Sequence, residues 1–192
     1  MIYQPAEDSY LLQKKLKEYL ENVSKSIIIL DMGSGSGIQA KTCKELGFKN
    51  ITAADINPEA ISHLKSLDIN PILTDLFSNL YKGGLRKGTL VPLQYDLIIF
   101  NPPYLPEDSR EPEDSKLATT GGKEGYEIIN KFLEQSKSHL SSQGTILLLI
   151  SSLSKPEIIK QKAKELDYRL EQIDSQKIDF EELLIYKLTK HD

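Results

Sequence analysis

The sequence contains only one cysteine, Cys43, and three histidines among its 192 residues. A lone cysteine cannot form an internal disulfide, so a disulfide-stapled secreted protein is excluded and a reducing, cytoplasmic location is expected. The histidines, His63, His139 and His191, show no metal-ligand spacing with Cys43. We therefore predict no metal site.

The chain also lacks long apolar runs and an excess of positive charge. No run approaches the ~18 residues of a membrane-spanning helix. The N-terminal MIYQPAEDSY lacks the basic region followed by an apolar one that marks a signal peptide. Lys and Arg number 24 against 28 Asp and Glu, a net charge of −4. Membrane insertion and non-specific nucleic-acid binding, which needs a basic surface, are therefore disfavoured.

What the chain does have is the composition of a globular protein. Hydrophobic residues make up 39% and charged residues 27% of the sequence, which is typical of a folded domain. The length is sufficient for one domain with a hydrophobic core. We expect a single catalytic domain over residues 1–192.

Short apolar runs alternate with segments of helical spacing. Helical patterns follow Asp8 or Ser9, either of which can cap a helix, and open at Asn57-Pro58 and Lys155-Pro156. A further helix is predicted over 128–140. The predicted strands are 27–30, 51–54, 71–73, 95–100, 145–150, 168–173 and 183–188. This alternation predicts an α/β, Rossmann-like fold with a seven-stranded, mostly parallel sheet, an antiparallel last strand and helices on both faces.

Two stretches, 82–94 and 105–123, show the least regular pattern and are predicted to be the least ordered. The second stretch is long for a connection inside a compact domain, which indicates a lid or a binding loop.

A glycine-rich turn, DMGSGSGIQA, follows the first predicted strand. Gly33, Gly35 and Gly37 allow a tight turn and a close approach of a ligand to the backbone. Their spacing also satisfies the dinucleotide pattern, so the glycines alone permit NAD. Asp31 argues against NAD because its charge would repel a pyrophosphate. It favours a ligand with an ammonium group, and S-adenosylmethionine carries one beside its adenosine.

Acidic residues follow the next two predicted strands. Asp55 ends the second strand, where its carboxylate can accept both hydroxyls of a ribose. Asp75 follows the third strand and is joined to Leu76, so this pair can bind the edge and the face of an adenine. Both positions agree with an adenosine-containing cofactor at the carboxyl ends of the strands.

The fourth predicted strand ends in FNPPY, residues 100–104. Its two prolines remove two backbone donors and fix two φ angles, which makes a rigid pocket wall. The Asn101 side-chain oxygen and the Pro102 carbonyl can accept both N–H protons of a planar amide or an aromatic amine. They would also stabilise the positive charge that gathers on its nitrogen during methyl transfer. Tyr104 can pack on the planar acceptor. The alternative is a structural Pro-Pro corner in which Asn101 caps a backbone group.

Taken together, these motifs resemble the class I S-adenosylmethionine-dependent methyltransferases. More narrowly, they are similar to the HemK-like glutamine methyltransferases of class 1 peptide chain release factors, in the short archaeal and eukaryotic branch. The segments that carry the resemblance are YQPAEDSYLL (3–12), DMGSGSG (31–37), ADINPEA (54–60), FNPPY (100–104) and TGGKEGYEIINKF (120–132).

The resemblance implies roles for individual residues. The methionine end of the cofactor would be held by Asp31 and Gly33, with Ser9 near its carboxylate unless Ser9 serves as the helix cap, or does both. The residues assigned to the cofactor are Ser9, Asp31, Gly33, Gly35, Gly37, Asp55, Ile56, Asp75, Leu76 and Asn101. Those assigned to the acceptor amide are Asn101, Pro102, Pro103, Tyr104, Gly121 and Gly122, of which Asn101, Pro102 and Tyr104 are the catalytic residues.

The reaction implied by the resemblance is methyl transfer to the glutamine side-chain amide in the Gly-Gly-Gln motif of a release factor. The product cofactor would be S-adenosylhomocysteine, and no metal is required. The residues leave open methylation of an adenine amine in DNA or RNA, of a protein lysine, or a cofactor-binding scaffold. The acidic loop 107–114 disfavours a nucleic-acid substrate.

The resemblance also bears on partners. The motif YQPAEDS begins at residue 3, so we expect no separate domain before the catalytic one, unlike the bacterial branch. Members of the short branch often work with a small zinc-binding activator protein that covers an apolar edge of the sheet. The predicted strand at 71–73 is the candidate for that edge.

Overall fold

The computed structural model describes residues 2–83 and 90–191. The helices are α1 (Glu7–Leu20), α2 (Ile38–Glu45), α3 (Pro58–Ser66), α4 (Glu113–Thr119), α5 (Glu127–His139) and α6 (Pro156–Glu165), with a 3-10 turn at Ser152–Ser154. The strands are β1 (Ile29–Met32), β2 (Ile51–Asp55), β3 (Pro71–Leu73), β4 (Tyr81–Gly83), β5 (Leu90–Pro92), β6 (Tyr95–Phe100), β7 (Leu140–Ser151), β8 (Tyr168–Ile178) and β9 (Glu181–Lys190).

Seven of these strands form one sheet in the order β3-β2-β1-β6-β7-β9-β8. Strand β1 pairs in parallel with β2 on one side and with β6 on the other. Strand β9 runs antiparallel to both β7 and β8. The predicted seven-stranded, mostly parallel sheet with an antiparallel last strand is confirmed. The strand order reverses at β1, and open sheets bind ligands at such a switch point.

Helices cover both faces of the sheet, as predicted. On one face, α1 packs against the strands through Leu16. On the other face, α5 packs against them through Phe132. Successive residues of a strand point to opposite faces, so Leu97 belongs to the first core and Ile98 to the second. Burial on both sides is the reason that these strands read as continuous apolar runs.

The predicted starts of two helices are confirmed. The Asn57 side-chain oxygen accepts a hydrogen bond of 2.9 Å from the backbone N–H of Glu59, and Pro58 occupies the first helical position of α3. Helix α6 likewise begins at Pro156. Both helix starts are determined by residues at the start itself, so the sequence alone could predict them.

Helix α1 begins earlier than predicted. Its first residue is Glu7, and Ala6 is the N-cap residue, without a capping side-chain hydrogen bond. The prediction that Asp8 or Ser9 caps this helix is therefore wrong. Both side chains lie inside the first turn and are buried, so they are available for contacts elsewhere in the fold.

The stretch 82–94 was predicted to be among the least ordered, but the structure has a short strand at each of its ends. Strands β4 and β5 pair antiparallel there as a separate two-stranded sheet, while residues 84–89 lie outside the described part. Three-residue strands are too short to show a period of two. Strand β3 could be predicted because it follows a predicted helix in the alternation of strands and helices, whereas no helix of the described part separates β4 or β5 from the neighbouring strands. Within 105–123 the structure contains α4, whose sequence has no apolar stripe. No helix in the described part is both long and apolar enough to cross a bilayer.

Candidate active site

A cavity of about 260 Å³ opens at the carboxyl ends of the parallel strands, at the switch point beside β1. Most of the candidate residues line it: Ser9, Asp31, Gly33, Gly35, Asp55, Ile56, Asp75, Leu76, Asn101, Pro102, Pro103 and Tyr104. Gly37, Gly121 and Gly122 are not among its lining residues. Five segments that are distant in the sequence therefore meet at one place.

Asp31 lies near the end of β1 and is only 2% exposed. Its Oδ2 accepts a hydrogen bond of 3.0 Å from the backbone N–H of Ala40. Burial raises the pKa of Asp31 to about 7; the Ala40 N–H opposes this rise, and the neighbouring Asp55 carboxylate adds to it. A buried carboxyl group of this kind gains from a cationic ligand, because the ligand compensates a charge that water cannot reach.

Asp55 ends β2 and fixes the glycine-rich turn. Its Oδ2 accepts from the backbone N–H of Gly35 at 2.8 Å, and its Oδ1 accepts from the backbone N–H of Asn57 at 2.8 Å. A carboxylate has about four acceptor positions, so two remain for hydroxyl donors such as those of a ribose. The same residue thus shapes the turn and offers a ligand contact.

The far end of the cavity is formed by the turn after β3. Leu76 has a φ of +47°, in the left-handed region that a leucine rarely adopts. The Thr74 hydroxyl braces this turn by donating to the Leu76 carbonyl at 2.9 Å. Asp75 is exposed and accepts from Lys131 Nζ at 2.9 Å. The strained turn presents an apolar side chain and a carboxylate side by side, an arrangement that can contact the face and the edge of an adenine.

The Asn101 side chain is oriented by a single neighbour. Its Nδ2 donates to Asp8 Oδ2 at 3.0 Å. Its Oδ1 is buried and has no hydrogen-bond donor among the residues that the structure describes. A buried carbonyl oxygen without a donor is costly, and this one belongs to a residue that lines the cavity. The arrangement can accept an N–H group from a ligand.

The aromatic wall of the site stays uncharged. Burial is the main reason that the pKa of Tyr104 is raised, and the Asp8 carboxylate raises it further. The pKa of Tyr3 is raised for the same two reasons, and its hydroxyl donates to Asp8 at 3.1 Å. Tyr104 therefore offers a neutral ring for packing, not a general base.

Two of the candidate glycines contribute from outside the lining. Gly37 has a φ of +79°, and a Cβ there would lie 2.7 Å from Cδ2 of Leu64, so it lets α2 start close to α3. Gly121 donates its N–H to the Leu105 carbonyl at 2.9 Å, and a Cβ there would lie 2.7 Å from the Pro103 carbonyl oxygen. Gly121 thus holds the loop 105–123 against the Asn-Pro-Pro-Tyr segment.

Several lining residues were not singled out from the sequence: Tyr3, Asp8, Gln39, Thr119 and Lys131. The sequence suggests Asp8 as a helix cap and gives no sign of its contact with Asn101, because that partner is 93 residues away. The Gln39 Nε2 donates to the Ser9 carbonyl at 2.9 Å, which leaves its buried Oε1 without a donor in the described part. No local pattern marks such residues, because their role depends on how α1 and α2 pack.

The cavity fits an adenosine cofactor that carries positive charge. Its described lining contains four carboxylates, Asp8, Asp31, Asp55 and Asp75, against the single cation of Lys131. Two buried oxygens of the lining, on Gln39 and Asn101, have no donor within the part of the chain that the structure describes. Within the described residues, 2–83 and 90–191, no cluster of three or more His, Cys, Asp or Glu side chains is placed to hold a metal ion.

The strand order and the position of the cavity identify the fold as that of the class I methyltransferases. The chain belongs to the methyltransferase small domain family, whose family model matches residues 8–173.

Comparison with known proteins gives relatives that match over almost the whole chain. A protein of Methanocaldococcus jannaschii, provisionally named protein N5-glutamine methyltransferase, is 35% identical and covers 96% of this chain and 89% of its own. Methyltransferase HEMK2 of Homo sapiens is 30% identical, over 98% of this chain and 90% of that protein. The resemblance to HemK-like methyltransferases inferred from the five segments is confirmed.

A solved structure shows the same fold. It is described as the Mtq2–Trm112 complex of E. cuniculi, responsible for methylation of the eRF1 translation termination factor. The TM-score is 0.75 at 24% sequence identity, and the match covers 99% of both chains.

Proposed function

We propose that this methyltransferase transfers a methyl group from S-adenosylmethionine to the glutamine side-chain amide in the Gly-Gly-Gln motif of a class 1 release factor. S-adenosylhomocysteine would be the second product. The observation that carries the proposal is the buried Asn101 Oδ1, which has no donor among the described residues and belongs to the cavity wall. An amide N–H is the donor that this oxygen needs.

The chain's own residues provide the cofactor site in this proposal. Asp31 would bind the ammonium of the methionine end, Asp55 the ribose hydroxyls, and Asp75 with Leu76 the adenine. Ser9 and Ile56 also line this part of the cavity. When bound, S-adenosylmethionine supplies a methyl group on a positively charged sulfur, which a nitrogen lone pair can attack.

Asn101 and Pro102 would then orient the acceptor. A carboxamide nitrogen is a poor nucleophile because its lone pair is delocalised. Two carbonyl oxygens that accept both of its protons hold the nitrogen in place and let it pyramidalise. The same two dipoles stabilise the positive charge on nitrogen as the bond to carbon forms, and that nitrogen sheds a proton after transfer. Tyr104 would pack on the amide plane.

The names of the relatives support glutamine as the acceptor. The M. jannaschii relative is named for protein N5-glutamine methylation, and the E. cuniculi complex is described as methylating eRF1. We infer the same substrate class for this chain. We also propose a single catalytic domain over residues 1–192 and, because the lone Cys43 is a buried free thiol, a cytoplasmic location.

A labelling experiment tests the substrate. The protein is incubated with methyl-labelled S-adenosylmethionine and, separately, a class 1 release factor, the same factor with Gly-Gly-Ala in place of Gly-Gly-Gln, and duplex DNA. We expect label in the first reaction alone. Label in DNA would instead assign an adenine amine, and equal label in both release factors would assign another residue, such as a lysine.

We further propose that a small zinc-binding protein docks on the edge strand β3. This strand lies at one end of the sheet, and Leu73 on it is 48% exposed. Exposed apolar side chains on an open edge favour pairing with another chain. The E. cuniculi relative is described in a complex with Trm112.

The activator proposal predicts that co-expression with such a partner raises the yield of soluble protein and its turnover. Replacing Leu73 with aspartate should remove this gain, while the same change at Ile158 on α6, which is also exposed and does not line the cavity, serves as the control. An isolated chain that is fully soluble, elutes as a monomer in size-exclusion chromatography and shows full activity in the methylation assay would count against the partnership.

A further inference from the structure

We propose that Asp8 is a positioning residue, which fixes the side-chain amide of Asn101 so that Oδ1, and not Nδ2, faces the acceptor. The proposal rests on the proposed function, since the acceptor is taken to be an N–H donor. It assigns a part in acceptor recognition to helix α1, which the sequence connects only with the cofactor.

The contact between these two side chains is buried. Asp8 is 4% exposed, and its Oδ2 lies 3.0 Å from Asn101 Nδ2. The two residues are 93 positions apart in the chain, so the contact exists only because the fold brings the first turn of α1 against the segment that follows β6. Both residues line the cavity.

Hydrogen bonding between Asp8 and Asn101 allows only one of the two orientations of the Asn101 side-chain amide. The oxygen and nitrogen of an asparagine amide occupy nearly the same space, so a rotation of 180° exchanges them without a steric penalty. A carboxylate can only accept hydrogen bonds. Rotating Asn101 would place Oδ1 against Asp8 Oδ2 and turn two N–H donors toward the N–H donors of the acceptor. Asp8 therefore selects the one orientation that is useful for catalysis.

Asp8 is itself held rigidly by donors. The Tyr3 hydroxyl lies 3.1 Å from both of its carboxylate oxygens. The backbone N–H of Ser9 donates to its Oδ1 at 2.5 Å, and the Ser9 hydroxyl donates at 3.1 Å. These contacts leave Asp8 little freedom to move away from Asn101, so the amide is oriented before any ligand binds.

The test begins with Asp8→Asn. An amide at position 8 can either donate or accept, so it no longer selects one orientation of Asn101. We expect kcat for release-factor methylation to fall about 10²-fold, as for loss of one preorganised dipole. The cofactor Kd should rise by less than about tenfold, because Asp8 is one of four carboxylates that line the cavity and the main change is in acceptor orientation. Glu7→Gln removes a charge from the adjacent, exposed residue and should leave kcat unchanged.

A reciprocal double variant separates orientation from structural damage. In Asp8→Asn with Asn101→Asp, the new amide donates to the new carboxylate, whose second oxygen again offers an acceptor to the cavity. We expect this double variant to be about tenfold more active than Asp8→Asn alone, a coupling of the size seen for contacting residues. A double variant no better than the single one would overturn the proposal.

A spectroscopic measurement keeps this inference distinct from the proposed function. In nitrogen-15 NMR spectra, the Asn101 side-chain NH2 signals should show slow hydrogen exchange in the wild type and faster exchange in Asp8→Asn. If the wild type methylates no glutamine but these signals behave as expected, the substrate is wrong and the orientation stands. If the wild type is active and Asp8→Asn keeps both its kcat and its slow exchange, the orientation role is refuted.

Discussion

Replacing Asn101 with alanine is expected to lower kcat for methyl transfer by about 10²- to 10³-fold, equivalent to ~2.7–4 kcal/mol in the activation free energy. The substitution removes the oxygen that would accept an acceptor N–H, and with it one of the two dipoles that would stabilise charge on the nitrogen. Single-turnover kinetics with the release factor measure the effect. Isothermal titration should give a cofactor Kd close to that of the wild type.

The matched control for this variant is Asn50→Ala. Asn50 precedes β2, at the opposite end of the strands, where its Nδ2 donates to the Ser26 carbonyl at 3.0 Å. It is not a lining residue of the cavity, so its loss should leave kcat unchanged. An Asn101→Ala enzyme that turns over at the wild-type rate would remove Asn101 from the mechanism. A loss of cofactor binding in the same variant would move its role from acceptor to cofactor.

Most of the fold could be predicted from the sequence because its signals are local. Strands buried on both faces read as apolar runs, as in β6 with Leu97 and Ile98 in opposite cores. The start of helix α3 is predicted by Asn57-Pro58, because Asn57 can cap the helix and Pro58 has a fixed φ suited to the first helical position. The predicted strand at 71–73, the candidate edge, does lie at an edge of the sheet, as β3.

What the sequence could not predict depends on packing between distant segments. The sequence suggests Asp8 as a cap of helix α1, yet its side chain accepts a hydrogen bond from Asn101, 93 residues away. Gly37 fits the pattern of a ligand-binding turn, but a Cβ there would collide with Leu64 of α3. The short strands β4 and β5 and the seven-residue α4 are below the length at which periodicity is informative.

The charges of the cavity explain why one cofactor class suits it. Four carboxylates and one lysine line the described part, so the cavity favours a cation and repels a pyrophosphate or a nucleic-acid backbone. The carboxylates differ in environment: Asp75 is paired with Lys131 at 2.9 Å, whereas Asp31 is buried with no cation beside it among its described contacts. Asp31 is therefore the position where a ligand's positive charge matters most.

The second large effect is expected for Asp31→Asn, which should stabilise the fold while abolishing cofactor binding. Burial raises the pKa of Asp31 from 3.8 to about 7 in the folded protein. Between these pH values the unfolded chain releases a proton that the folded protein retains, so stability falls as the pH rises, and above pH 7 the loss is complete. The difference in pKa corresponds to roughly 4 kcal/mol.

Asparagine at position 31 carries no charge, and its side-chain oxygen can still accept from the Ala40 N–H. Urea unfolding should show little difference between variant and wild type near pH 4 and a gain of about 2–4 kcal/mol for the variant at pH 8. Wild-type cofactor affinity should fall by up to about tenfold per pH unit below pH 7, because the protonated carboxyl no longer attracts an ammonium. Asp31→Asn should bind weakly at every pH.

Asp96→Asn is the control for this prediction. Asp96 also accepts from a backbone N–H, that of Ile28 at 2.9 Å, but it is the second residue of β6, at the end of the strands opposite the cavity. Its replacement should leave cofactor binding unchanged and should not stabilise the fold at pH 8. If Asp31→Asn were less stable than the wild type at pH 8, the buried carboxylate would not have the energetic cost assigned to it. If the variant bound the cofactor as well as the wild type does, the carboxylate would not have the ligand role. A gain in stability with loss of binding would show that the fold tolerates an unfavourable charge because the cofactor compensates it.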